Sequence, residues 1–141
     1  MAMHLSVASR TVFGLIALFS LLFSYLYAVR PAKVVALQLG EVSTPISDIS
    51  AMWGRHVAAL LAAYGLMLAS ASFNGSADRS IFFFALVYEV AAVANNESSG
   101  ASATTCIAHR LRCTATVAVS ALEWWATRHK QPVLSAGAKL E

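Results

Sequence analysis

A long charge-free segment constrains this chain more than any other feature. It begins with several polar and charged residues from Ser47 to His56, and the next 17 residues, Val57–Phe73, carry no charge. A helix needs about 20 mostly apolar residues to cross a hydrocarbon core roughly 30 Å thick. Small side chains, which let membrane helices approach closely, are common in this run. The segment therefore predicts a packing helix at the centre of a small membrane bundle.

The composition indicates lipid rather than water as the main solvent. Hydrophobic residues make up 58% of the 141 residues and charged residues only 12%, whereas soluble domains contain about 25% charged residues. The length predicts a single domain. The net charge of +3 reflects few acids rather than a basic cluster, and no run of Lys and Arg interleaved with aromatic residues indicates nucleic acid as a partner.

Three further apolar segments complete a predicted all-α fold, a transmembrane four-helix bundle that occupies 1–141 as one membrane domain. A longer loop, 31–50, joins the first two helices, and its first half predicts a short helix on the membrane surface. Ser47 or Asp48 is expected to cap the second helix and Asp78 the third. The predicted helices cover about 12–29, 49–73, 79–95 and 106–128, followed by a polar tail over 129–141.

Two of these segments leave alternatives open. The first has a basic start, an apolar core and Leu26-Tyr27-Ala28, features that also occur in secretory signals. It is nevertheless long enough to span, with aromatic and basic residues at its exit. The fourth has only about 14 apolar residues, Cys113–Ala126, so neighbouring helices would have to shield it. Basic residues are equally frequent on the two predicted sides, so the orientation stays open.

Glu89 is the main candidate for a functional side chain. It interrupts the apolar part of the third helix, and an ionisable group there is costly unless it faces a partner inside the bundle. Because the second helix starts where the third ends, we expect Glu89 to pair with Arg55 or His56, with Arg110 on the same side. The pair would be either a structural ion pair or a proton or ligand site.

Aromatic residues near the helix ends are expected to anchor the chain at the membrane surface. These anchors are Trp53, Trp124, Trp125, Tyr25 and Tyr27. No nucleophile motif, phosphate loop or metal-ligand spacing is present, and Cys106 and Cys113 lie two helical turns apart, too far to bridge. We therefore expect neither catalysis nor a metal or other cofactor, although a bound phospholipid would fit such a bundle.

The start of the second helix carries a family resemblance. After a first apolar helix and Pro31, the chain reads Asp48-Ile49-Ser50-Ala51-Met52-Trp53-Gly54. This order resembles the small four-helix membrane proteins of the DoxX-like superfamily, in particular its uncharacterised branch DUF4345. The chain departs from that pattern at Ser50, where Arg is usual, and at Arg55, where a second Gly is usual. A weaker resemblance is to the four-helix scaffold protein of the ergosterol pathway. The resemblance implies the architecture and no enzyme activity.

Two functions follow as hypotheses. The first is a non-catalytic accessory subunit of a large complex in an energy-transducing membrane, with lipids and other subunits as partners. The acid-free start with Arg10, Arg30 and Lys33 favours the mitochondrial inner membrane, with the thylakoid as the alternative. The second is a free-standing membrane protein that binds a lipid, sterol or quinone, or transports a proton or small solute through Glu89. Gentle native electrophoresis separates the two.

Overall fold

The computed structural model describes residues 2–39 and 48–129, and the chain there is mostly helical, as the sequence predicts. Five helices and two short strands make up the described part. In chain order they are β1 (Ala2–His4), α1 (Val7–Val29), α2 (Pro31–Leu39), α3 (Asp48–Asn74), β2 (Ser76–Asp78), α4 (Arg79–Ser98) and α5 (Ala103–His129).

The first and third predicted helices are longer than expected, for local reasons. Helix α1 begins five residues earlier than predicted because Ser6 caps it, with the Ser6 hydroxyl accepting from the Ser9 N–H at 3.2 Å. Helix α4 continues past the two asparagines that suggested a loop, since the Asn96 side chain donates within the helix to the Ala92 carbonyl. It ends just before Gly100, whose φ of 72° suits glycine.

The capping predictions have two outcomes. Asp78 caps α4 as predicted, because its carboxylate accepts from the Arg79 N–H at 3.0 Å. Ser47 and the side chain of Asp48 lie outside the described residues, as does the tail from Lys130 onward. The short helix predicted after Pro31 is present as α2.

A two-stranded antiparallel sheet ties the N-terminus to the α3–α4 connection. Ala2 pairs with Asp78 and His4 with Ser76, next to Gly75 with its φ of 64°. The sequence predicted only a turn here. Three-residue strands carry too little alternation to be recognised, and their pairing depends on two distant segments meeting.

Helices α1 and α3 pack closely and antiparallel. Gly65 lies against Ala17 and Leu21, and Gly54 lies against Tyr27, so rising numbers on one helix meet falling numbers on the other. A Cβ on Gly65 would stand 2.9 Å from Leu21 Cγ and 3.2 Å from the Ala17 carbonyl oxygen. Glycine therefore sets the distance between these helices, as it does in many membrane proteins.

Two helices, Val7–Val29 and the Met52–Asn74 part of α3, are long and apolar enough to cross a membrane. Helices α4 and α5 do not meet that test within the described residues. The chain is thus shown to be helical with two candidate spans, which is weak support for a membrane protein. That all four long helices cross the membrane stays a prediction.

Apolar side chains lie both inside this fold and on its surface. An apolar core exists, with Phe13 and Leu68 fully buried. Yet each long helix also exposes large apolar side chains, and Phe83 for example is 71% exposed. Several polar side chains lie inside as well. The buried polar residues are Ser9, Ser20, Glu89, Asn96, Thr116 and Glu123.

Candidate functional site: a polar cluster beside a cavity

The four long helices each contribute one group to a polar cluster, which we define as Ser20, Tyr64, Glu89 and Arg112. Glu89 on α4 is fully buried. Its Oε1 accepts from Arg112 Nη2 of α5 at 2.7 Å and from the Tyr64 hydroxyl of α3 at 3.0 Å. The same Arg112 nitrogen donates to the Ser20 hydroxyl of α1 at 3.3 Å.

The partner of Glu89 therefore differs from the predicted ones. Arg55 and His56 are exposed near the start of α3, and His56 Nδ1 lies 3.0 Å from the Met52 carbonyl oxygen of its own helix. Arg110 pairs with Glu97 at 2.7 Å on the surface. Glu89 does pair with a basic residue, as predicted, but that residue is Arg112 and not Arg55 or His56. Arg112 follows Arg110 by two positions, which is enough to place it on the inner face of α5.

Aromatic rings enclose the polar cluster on one side. Tyr88 stacks on Tyr64 with ring centroids 4.1 Å apart, and Phe84 lies 6.3 Å from the same Tyr64 ring. Because this surrounding is apolar, the attraction between Glu89 and Arg112 is little screened. The cluster thus holds two opposite charges that neutralise each other inside the protein.

Glu123 forms a second buried polar contact, which sequence reasoning missed within an apparently apolar segment. Its Oε1 accepts from the Ser6 N–H at 2.7 Å and from the Ser9 hydroxyl at 2.5 Å. A carboxylate at the N-terminus of α1 is stabilised by the helix dipole. The signal available in the sequence was an acid next to the Trp124-Trp125 pair that we interpreted only as an anchor.

A cavity of about 530 Å³ lies next to the polar cluster. Helices α1 and α2, the first half of α5 and one residue of α3 form its walls. Arg112 belongs both to these walls and to the polar cluster. The remaining lining residues are Phe19, Phe23, Tyr27, Leu37, Gln38, Leu61, Ser102, Thr104, Thr105, Ala108, His109 and Leu111.

Three buried polar atoms near this region have no hydrogen-bond partner within the described part of the chain. They are Glu89 Oε2, Arg112 Nε and His109 Nδ1. Such atoms are rare in folded proteins, and a water, an ion or another group bound there is one explanation for them. Two of the three belong to residues that line the cavity.

The predicted anchors separate into two groups. Tyr25, Trp53, Trp124 and Trp125 are exposed, as residues at a membrane surface must be. Tyr27 is buried instead, and its hydroxyl donates to Gln38 Oε1 across the α1–α2 junction. Tyr27 thus shapes the cavity rather than the outer surface.

The described residues contain no group of three or more His, Cys, Asp or Glu side chains that could hold a metal ion. Comparison with protein-family models, with curated proteins and with solved structures finds no match. The likeness to DoxX-like proteins accordingly stays a prediction.

Proposed function

We propose that this chain is a multi-pass integral membrane protein in which α1, α3, α4 and α5 all cross the bilayer as a four-helix bundle. The exposed apolar surface carries this proposal. Large apolar side chains point outward from every long helix, for example Leu18 on α1, Leu60 on α3, Phe83 on α4 and Leu111 on α5. Lipid is the surrounding that makes such a surface favourable.

The low hydropathy of α4 and α5 is consistent with this proposal. Glu89, Arg112 and Glu123 face inward, where the first two neutralise each other and Glu123 accepts hydrogen bonds from the N-terminal region of α1. Charged residues inside membranes are expected to face the interior and to be paired in this way. The average hydropathy of such a helix falls although its outer face remains apolar.

The role that fits these features is a non-catalytic accessory subunit of a larger membrane complex. Glu89 and Arg112 neutralise each other, and the exposed apolar surface offers area to lipid and to neighbouring helices. An energy-transducing membrane is the proposed location, the mitochondrial inner membrane first and the thylakoid second, on the basis of the basic, acid-free N-terminal region.

A free-standing lipid-binding protein is the second candidate, and one observation favours it. The cavity beside Arg112 is of a size that small-molecule sites have. Transport of a proton through Glu89 has less support, because Arg112 holds that carboxylate in an ion pair at 2.7 Å.

Two fractionation steps test the proposal. Alkaline carbonate extraction of membranes that contain the full chain should leave it in the pellet. Native electrophoresis after gentle detergent treatment, followed by mass spectrometry, should then find it migrating with a complex far larger than its own 15.0 kDa. Release by carbonate would contradict membrane integration. Retention followed by migration alone or as a small oligomer would contradict the subunit role and leave the lipid-binding protein.

A further inference from the structure

We propose that the cavity between α1, α2 and α5 binds an uncharged amphiphile, with its hydrocarbon part against the aromatic walls and a carbonyl oxygen of its head at the Arg112 end. The inference rests on the proposed membrane location, because the bilayer would supply the ligand. It goes further by naming a site and a ligand chemistry.

The cavity lining has two chemically different parts. Phe19, Phe23, Leu37, Leu61 and Leu111 provide apolar walls. Hydroxyl, amide, imidazole and guanidinium groups provide a polar part. Its members are Gln38, Ser102, Thr104, Thr105, His109 and Arg112. A ligand with both an apolar body and a polar head satisfies both parts, whereas pure hydrocarbon would leave Arg112 Nε and His109 Nδ1 without hydrogen-bond partners from the described part of the chain.

The charge of the site favours an uncharged head. Arg112 is the only Lys, Arg, Asp or Glu among the described lining residues, and Glu89 already neutralises it at 2.7 Å. An ionised carboxylate would then enter an apolar site without a counter-charge of its own, which is costly. A carbonyl oxygen carries no such penalty.

The polar part has hydrogen-bond donors to offer. Arg112 Nε–H is buried without a partner in the described part of the chain and can only donate. Gln38, which lines the cavity, uses its Oε1 to accept from Tyr27, and its amide N–H groups are donors. His109 adds a ring nitrogen that has no partner within the described residues and that donates or accepts according to the tautomer. The Arg112 and Gln38 donors match an acceptor oxygen, as in an ester or a quinone.

Photo-crosslinking of the purified full chain in lipid nanodiscs tests the proposal. Three probes carry the same diazirine-bearing alkyl chain and differ in the head, which is a glycerol ester, a benzoquinone or a carboxylate. We expect the ester probe or the quinone probe to label peptides that contain Phe19, Phe23 or Leu111. The probe that labels these peptides more strongly identifies the class of ligand, lipid ester or quinone, that the cavity prefers. We expect the carboxylate probe at equal concentration to label them about tenfold less, as a 1.4 kcal/mol difference implies.

Matched variants locate the labelling. Ala108 lines the cavity and Ala121 does not, yet both are exposed alanines on α5. Ala108→Phe should reduce labelling about tenfold by filling the cavity, whereas Ala121→Phe should leave it unchanged. If Ala108→Phe fails to fold, Thr104→Phe at the exposed rim provides the same obstruction. His109→Leu should reduce labelling by the ester and quinone probes, because their head loses a hydrogen-bonding group of the site.

The outcomes separate this inference from the proposed function. Equal or stronger labelling by the carboxylate probe, or labelling that Ala108→Phe and Thr104→Phe do not reduce, would overturn the cavity assignment. A chain that resists carbonate extraction but shows no labelling near Phe23 overturns only the ligand site. A chain released by carbonate overturns the membrane proposal first.

Discussion

The two sides of α1 make an instructive comparison. Toward α3, α1 meets glycine and other small residues, and a side-chain hydrogen bond in the middle of that interface joins the Ser24 hydroxyl to the Ala58 carbonyl at 2.7 Å. Toward α5, α1 meets charged groups, with Ser20 beside Arg112 and Ser9 bonded to Glu123. We call these the small-residue side and the charged side.

The difference separates two ways of holding helices together. Close packing on the small-residue side gains van der Waals contact between segments that are each apolar enough to span a membrane. The charged side depends on partners, because Glu89 or Glu123 alone in an apolar surrounding would be costly. We therefore expect substitutions on the charged side to have larger and more strongly coupled effects than those on the small-residue side.

The largest expected effect comes from breaking the Glu89–Arg112 pair. Arg112→Met leaves a fully buried carboxylate without its counter-charge and should lower the free energy of unfolding by about 3–5 kcal/mol. The double variant with Glu89→Met removes both charges and should recover most of that loss. SDS titration of the protein in mixed micelles, followed by circular dichroism, measures both values. Additive losses in the double variant would contradict the pairing.

The next effect tests the small-residue side. Gly65→Ala places a Cβ 2.9 Å from Leu21 Cγ and 3.2 Å from a backbone oxygen, and such overpacking typically costs about 1–3 kcal/mol. Ala63→Val adds more volume to an exposed position of the same helix and should be neutral. Equal losses for the two variants in the same unfolding assay would mean that α1 and α3 are not in close contact.

A pair of serine variants compares the two sides directly. Ser9→Ala removes a hydrogen bond to a carboxylate and should cost about 1.5–3 kcal/mol. Ser24→Ala removes a hydrogen bond to a neutral carbonyl and should cost about 0.5–1.5 kcal/mol. Thermal unfolding in detergent measures both changes. A larger loss of stability for Ser24→Ala than for Ser9→Ala would contradict the expectation that substitutions on the charged side have the larger effect.

The smallest effect is expected at the exposed ion pair. Arg110→Gln separates a pair of the same 2.7 Å length as the buried one, but Arg110 and Glu97 are 64% and 41% exposed. Water and salt screen such pairs, so the variant should unfold like the parent chain at about 0.15 M salt. A loss as large as that of Arg112→Met would show that burial does not determine the strength of these pairs.

Much of the architecture could be predicted from local sequence. The apolar runs around Val57–Phe73 and within α1 indicated helices, and Asp78 was recognised as a cap because its position after Asn74-Gly75 is characteristic. Glu89 was recognised as buried because a single acid inside an apolar helix is costly unless it faces the protein interior.

The remaining features depend on contacts that no short segment contains. To predict Arg112 as the partner of Glu89, one must know how α5 is rotated about its axis. The sequence leaves this rotation ambiguous, because the basic residues Arg110 and Arg112 lie on different faces of α5. The pairing of β1 with β2 and the contact of Glu123 with α1 join residues far apart in the chain. The cavity exists only once α2 has folded back toward α5, so it has no signal in the sequence.

The lipid exposure of α4 and α5 is the most direct test of the central claim that all four long helices cross the membrane. Spin labels at outward positions, Leu60 on α3, Val87 on α4 and Val117 on α5, report it in nanodiscs once Cys106→Ala and Cys113→Ala have removed the native thiols. A four-span bundle should give high accessibility to oxygen and low accessibility to a water-soluble nickel complex at all three positions. High nickel accessibility at Val87 and Val117, with Leu60 protected, would contradict the four-span bundle.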